Sequence, residues 1–483
     1  MYIYTFPLFF LNLFILANNE KLIFVEIHFR HGSRAPLRLN EKSEDIFGIK
    51  WSAPGELTAI GKRMEYLLGL RNRLKYVTGE NKFLSDVYDP HELVVFSSNV
   101  NRTLQSVTSQ LQGLYPISSK KGDVLNPDQF DIAVPPVNIS FEEIDKEINS
   151  LNDSALPNYM TVIPIHYINF NINNSVECNT KIRDMRINNS NTSKTILNLV
   201  EEFNKNFSES LNIYYNKSKD NKFNFTFISS LCDSAVADFT EGKDMTNFFL
   251  KTNIDKNIFK DTCYKVLIHY FRDILFLDDN NELVLFFNSV QLKAMINYMK
   301  RRIDDDINGE ISKKNVSDFS RPKMLIVSGH DTTLTAEEIY FIRFFNIELE
   351  SYIFPIYTSQ ITYEITREEN LNPGKLKYSD YNVYYYFNDK LIMNITFDYF
   401  LEKIEKNMWG VEQIEKFCFG EKTSPPFDTS IVIIIIMGII ILILDLVIIF
   451  LVIKIRKNKN ISINNGFNDK LVNDNKIIND DEE

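Results

Sequence analysis

Residues Phe24 to Pro36 read FVEIHFRHGSRAP. The run from Lys21 to Phe29 is mostly apolar, as a strand covered on both faces is. Where it ends, Arg30, His31 and Arg34 stand together. Two full positive charges beside an imidazole repel one another unless an anion joins them. The stretch therefore predicts a buried strand whose carboxyl end holds a ligand, the arrangement of open α/β sheets.

Two later stretches repeat the pattern. HELVVFSSNVNRT (His91–Thr103) holds a short strand, Leu93 to Phe96, before a helix from Asn101 to Leu114 that stops ahead of Pro116. KMLIVSGHDTTLTAEEIYFIRFF (Lys323–Phe345) holds another strand, Met324 to Val327, with a helix from Thr332 onward. Leu57 to Tyr76 has apolar residues at helical spacing and basic residues on the other face. Gln360 to Thr366 and Asn382 to Phe387 read as strands of a late hairpin. From about 120 to 319 the strand–helix alternation is lost, and this Asn-, Ser- and Lys-rich region reads as a mainly helical insertion, with Ser289 to Arg302 as one helix. The predicted fold is α/β. A central mixed, mainly parallel sheet is flanked by helices, and core segments 21–118 and 320–420 bracket the inserted subdomain.

The three strand ends pool Arg30, His31, Arg34, Arg102, His330 and Asp331. Three arginines suit a tetrahedral dianion, because their paired donors match phosphate and stay charged at any relevant pH. His31, disfavoured as a cation by its neighbours, can attack phosphorus in line and form a phosphohistidine. The arginines would stabilise the charge on the equatorial oxygens. Asp331 is the candidate acid for the leaving alcohol and then the base for water. Gly32 lets the backbone turn closely around the anion. Since the arginines supply the positive charge, no metal or other cofactor is expected. His28 reads as a packed core group, while His91, His166 and His269 carry no role.

RHGSRAP fits the pattern RHGxRxP, and with it the chain resembles the histidine acid phosphatases, a branch of the histidine phosphatase superfamily. SSNVNRT resembles the family's second arginine site, SGHDTT its HD motif, and Trp51 with LTAIG (Leu57–Gly61) a segment after the first loop. VIPIHYINF (Val162–Phe170) is similar to a segment of the animal prostatic and lysosomal type. The likeness runs from about Lys21 to Phe419 and is strongest at its two ends. It implies small phosphate monoesters as substrates, His31 as the phosphate acceptor, Asp331 as the proton donor, and Arg30, Arg34, Arg102 and His330 as phosphate ligands. A phytase or inositol-polyphosphate phosphatase is the alternative among enzymes. A surface glycoprotein with a non-catalytic phosphatase fold is the alternative outside them. Relatives often dimerise, so a homodimer stays open.

A net charge of -11 and a pI near 5.3 argue against general nucleic-acid binding. Residues 1–18 read as a signal peptide, with Ala17 near the cut. Ile431 to Ile453, IVIIIIMGIIILILDLVIIFLVI, reaches about 35 Å as a helix, enough to cross a bilayer. Its apolar residues outweigh Asp445. Lys454, Arg456, Lys457 and Lys459 follow, which puts the tail 454–483 in the cytoplasm and the ectodomain 19–425 outside the cell or in a lysosomal lumen. The expected protein is thus a single-pass type I membrane protein, with sequons at Asn138, Asn152, Asn173, Asn206, Asn224, Asn315 and Asn394 open to glycosylation. Cys178, Cys232, Cys263 and Cys418 all precede the span, and an even number permits two disulfides. By the resemblance, Cys178 and Cys418 sit where a long-range bridge is expected. Cys232 lacks its usual partner, replaced around Ser359, and Cys263 is a substitute.

Overall fold

A seven-stranded sheet organises the chain, and its central strand is β1 (Glu20–Arg30). The computed structural model describes residues 20–79, 82–117, 124–130, 132–135, 142–167, 176–276, 281–309, 321–372 and 374–420. On one side β1 pairs in parallel with β4 (Met324–Gly329) and β4 with β2 (Leu93–Ser97). The two-residue β3 (His166–Tyr167) closes that edge. On the other side β1 pairs antiparallel with β5 (Gln360–Glu368), followed by β6 (Tyr381–Phe387) and β7 (Lys390–Thr396).

The sheet is therefore mixed but not mainly parallel, which corrects the expectation from sequence. Half of it is a meander, and antiparallel neighbours need only tight turns, not crossover helices. Asn388 and Asp389, both at positive φ, make the turn between β6 and β7. The seventh strand escaped the sequence reading because its alternation is weak and half its residues face solvent.

Alternate residues of β1 serve two cores. Val25, Ile27 and Phe29 face α1 (Ala59–Tyr76) and α2 (Asn101–Leu114), joining Val95, Val107, Leu111 and Ile326. The opposite sheet face packs on α9 (Glu282–Ile307), α10 (Asp331–Phe344) and α11 (Phe397–Asn407). The region between β2 and β4 also carries α3 (Glu142–Leu151), α4 (Val176–Thr192), α5 (Lys194–Tyr214), α6 (Phe225–Thr240), α7 (Thr246–Thr252) and α8 (Lys256–His269). Helices α5 to α8 build an aromatic core of their own around Phe203, Phe207, Phe248 and Phe259, into which Phe47 inserts. A π-helical segment, Tyr270–Phe276, follows α8.

Cys178 on α4 and Cys418 on α12 (Val411–Phe419) form a disulfide across 240 residues. Cys232 on α6 and Cys263 on α8 are free thiols, so the second bridge expected from the resemblance is not present. The two thiols are fully buried and hydrogen-bonded to each other, filling the helical core as small apolar groups. Among the described residues no helix is long and apolar enough to cross a membrane. The signal peptide, the span Ile431–Ile453 and the tail lie outside the described residues.

His28 is a core residue, as expected, but a charged one. Its Nδ1 lies 2.7 Å from Glu337 and its Nε2 2.7 Å from Glu26, all three side chains fully enclosed. Gln291 adds a contact at 3.0 Å to each of His28 and Glu337. Burial alone would depress the imidazole, but the two carboxylates outweigh it and raise its pKa to about 10. Truncating one member of a buried charge cluster strands the others without a counter-charge. We therefore expect His28→Ala to lower unfolding stability by about 3–5 kcal/mol in urea titrations near neutral pH.

Candidate active site

The register of the parallel strands assembles the site. Arg30 lies opposite Gly329, and Ser97 opposite Ser328, so the three strand ends finish level. His31 follows Arg30, His330 and Asp331 follow Gly329, and Arg102 sits in the first turn of α2 just past β2. All six residues singled out in the sequence therefore meet at one edge of the sheet.

The loop carrying His31 is fixed by close backbone approach. A Cβ on Gly32 would lie 2.5 Å from the carbonyl oxygen of Gly61, and one on Gly61 would lie 2.2 Å from that of Ser33. Gly32 thus serves contact with α1, not only a turn around an anion. Its N–H donates to Ser106 Oγ at 3.1 Å, tying the loop to α2 as well. Thr58 caps α1, its hydroxyl oxygen accepting from the Gly61 N–H at 3.0 Å.

His31 is almost wholly enclosed. Its Nδ1 is 2.8 Å from the carbonyl oxygen of Gly32, which only accepts, so Nδ1 carries the proton and Nε2 keeps its lone pair. Burial first, then the charges of Arg30 and Arg34, hold its pKa well below the usual imidazole range. His330 stands with its ring edge-on to His31, centroids 5.6 Å apart. Arg102 Nη2 lies 3.3 Å from His330 Nδ1, which must accept. His330 Nε2 then donates to Ser98 Oγ at 2.9 Å. Burial and the Arg102 charge lower the His330 pKa to about 4.

The guanidiniums are held but not used up. Arg30 donates from Nη1 to the Pro355 carbonyl and pairs through Nη2 with Asp331, both at 2.7 Å. Its plane stacks over Tyr357 with 4.3 Å to the ring centroid. Arg34 pairs through Nη2 with Asp233 on α6 at 2.8 Å. The Nε–H groups of Arg30, Arg34 and Arg102 are all buried and have no partner. Buried N–H donors left unmet are rare and costly, and three of them in one pocket mark an anion site. Asp331 is the first residue of α10, and its Oδ1 accepts from the Thr332 N–H at 2.8 Å.

Sequence reasoning missed Asp233 and Tyr357. Asp233 belongs to the helical insertion and Tyr357 to a loop before β5, and neither sits in a recognisable motif. A lone tyrosine or aspartate in a chain rich in both carries no signal until the fold brings it to the arginines.

Both imidazoles titrate below their unfolded value of about 6.5. The stability this lends is complete above pH 6.5 and is lost as pH falls through the folded values. We expect calorimetric melting temperatures to drop between pH 6.5 and pH 4, and His330→Gln to show a smaller drop over that window than the unaltered chain.

Residues 21–379 match the sequence profile of the family described as the histidine phosphatase superfamily (branch 2). A lysosomal acid phosphatase of Xenopus laevis is 30% identical over 146 residues, 30% of this chain and 32% of that protein. A putative acid phosphatase, number 11, of Caenorhabditis elegans is 40% identical over 105 residues, covering 21% of this chain and 24% of its own. The human prostatic acid phosphatase is 35% identical over 98 residues, 20% and 24% of the two chains. The matched segments thus span a third or less of these relatives. Among solved structures, the Citrobacter braakii phytase superposes with a TM-score of 0.52 at 12% identity, covering 82% of this chain and 99% of its own. At that identity the likeness is one of fold.

Proposed function

Because the chain belongs to branch 2 of the histidine phosphatase superfamily, we propose that it hydrolyses phosphate monoesters through a covalent phosphohistidine. The observation that carries the reading is a cluster of three guanidiniums with unmet, buried N–H groups, two of them acting directly on an imidazole whose Nδ1 is the protonated nitrogen. The acid phosphatases among its relatives support a phosphatase activity.

In the proposed reaction the phosphoryl group enters among Arg30, Arg34 and Arg102, whose Nε–H groups donate to its oxygens. His31 Nε2 attacks phosphorus in line, the N–P bond forms and the P–O ester bond breaks. Protonated Asp331 gives its proton to the departing alcohol oxygen. Water then attacks the phosphohistidine and passes a proton to the Asp331 carboxylate. The N–P bond breaks, releasing phosphate and restoring neutral His31. Burial and the neighbouring cations keep His31 deprotonated in acid, where an ordinary histidine would be largely charged, so the nucleophile remains available there. His330 does not attack, because its Nδ1 accepts from Arg102 and its Nε2 bears the proton.

The apolar run Ile431–Ile453 and the basic residues after it support a membrane-anchored enzyme whose catalytic part faces a lumen or the outside. A chain ended at residue 425 should then pass into the soluble fraction while the full chain resists carbonate extraction.

We expect His31→Ala to cut turnover of 4-nitrophenyl phosphate at pH 5 by about three orders of magnitude or more. Full turnover by that variant would refute the reading. Asp331→Asn should slow simple alkyl phosphates by about 10²–10⁴-fold and 4-nitrophenyl phosphate much less, since nitrophenolate leaves without a proton. Rapid quenching with labelled substrate should leave acid-labile label on His31.

A further inference from the structure

Asp233 has no place in the reaction just derived, yet it lies within the anion pocket. It is carried by α6 and reaches across to the loop that follows His31. Its Oδ1 accepts from Arg34 Nη2 at 2.8 Å and its Oδ2 from Arg34 Nη1 at 3.3 Å, a two-pronged pair. Oδ2 also accepts from the Leu37 N–H at 3.3 Å. Arg34 is only 3% exposed at its side chain, whereas Asp233 keeps 25% of its own open. The carboxylate is thus less enclosed than the guanidinium it holds.

Charged and titratable groups reach Asp233 from several elements. Arg34 and Arg30 reach it from the end of β1 and its loop. Tyr357 reaches it from the loop before β5, Tyr270 from the π-helical segment, and its neighbour Cys232 lies on α6 itself. Burial pushes the two phenols and the thiol up, so all three stay neutral in acid. Burial would also raise the Asp233 carboxyl, but Arg34 outweighs it and holds the acid below the usual carboxylate range. Burial and the neighbouring arginines push both His31 and His330 towards the neutral form. Asp331 pairs with Arg30 and Asp233 with Arg34, so Asp233 offsets one of the cations at the strand ends.

We propose that Asp233 is a charge-setting, positioning residue that makes this pocket favour a singly charged phosphoryl group over a doubly charged one of the same shape. The inference rests on the phosphate-monoester reading and names the ionisation state of the substrate that the site takes. The physical reason is simple. Asp233 offsets the charge of Arg34 through Nη1 and Nη2 and leaves its Nε–H without a partner, so a donor is retained and field is removed. A dianion feels the missing charge twice as strongly as a monoanion.

The test separates charge from shape and needs no turnover. Sulfate and methanesulfonate are both tetrahedral at the bound end and differ in fixed charge. Their binding to the full-length chain would be measured by calorimetry at pH 5. Asp233→Asn keeps an oxygen for Arg34 but removes the charge. We expect it to tighten sulfate about ten-fold and methanesulfonate about three-fold, shifting the ratio towards the dianion. Asp233→Glu should return the ratio to that of the unaltered chain, and Asp233→Ser should shift it as Asn does if Asn folds poorly. Sulfate binding that is unchanged or weaker in a folded charge-removed variant, or an equal shift of both anions, would overturn the proposal and leave Asp233 a mere brace. A chain that binds these anions as expected but hydrolyses no phosphomonoester would instead overturn the catalytic reading alone.

Discussion

Arg30 stands opposite Gly329 in the parallel pairing of β1 with β4, and the site depends on that register. A slip of one residue would turn the side chains of β1 to the opposite faces. Arg30 would then leave Asp331, and Val25, Ile27 and Phe29 would leave their core. The hydrophobic alternation of the strand and the chemistry at its end are therefore specified together. The same pairing brings the His31 N–H to the Gly329 carbonyl at 3.1 Å, so the backbone of His31 is held by the strand that leads into His330 and Asp331.

Around that register the charges are arranged in two tiers. At the strand ends, Arg30 and Arg34 are held by carboxylates and carbonyls and Arg102 by the His330 imidazole, while their Nε–H groups stay unmet. Deeper in the sheet, two residues before Arg30, His28 is a buried cation locked between Glu26 and Glu337. The imidazoles of the two tiers are driven in opposite directions by their neighbours. His31 lies among guanidiniums and stays neutral, while His28 lies among carboxylates and stays charged. One residue type is thus driven to opposite charge states by what surrounds it.

The helical region between β2 and β4 does more than cover one side. Through α6 it grips the loop after His31 at two points: Asp233 binds Arg34, and Glu241, just past the helix, accepts from the hydroxyls of Ser33 and Thr58 at 2.5 and 2.6 Å. Two carboxylates that hold this loop therefore come from the part of the chain least recognisable in sequence.

The sequence by itself determined the β1, α1, β2, α2, β4 and α10 units and the six residues at their ends. The apolar runs of the three strands are strong and the motifs lie immediately beside them, although α1 turns Gly61, Glu65, Gly69, Asn72 and Tyr76 inward, not an apolar stripe. It also determined the pairing of cations with a histidine, because guanidiniums beside an imidazole make chemical sense only with an anion. Only the tertiary structure decided the rest. The antiparallel half of the sheet follows from turns such as Asn388–Asp389, whose effect on pairing direction is invisible to hydrophobic period. Cys232 and Cys263 meet as free thiols because two helices from distant segments pack together. Asp233 enters the site for the same reason: its contact with Arg34 spans 199 residues, and no local pattern encodes an interaction across that distance.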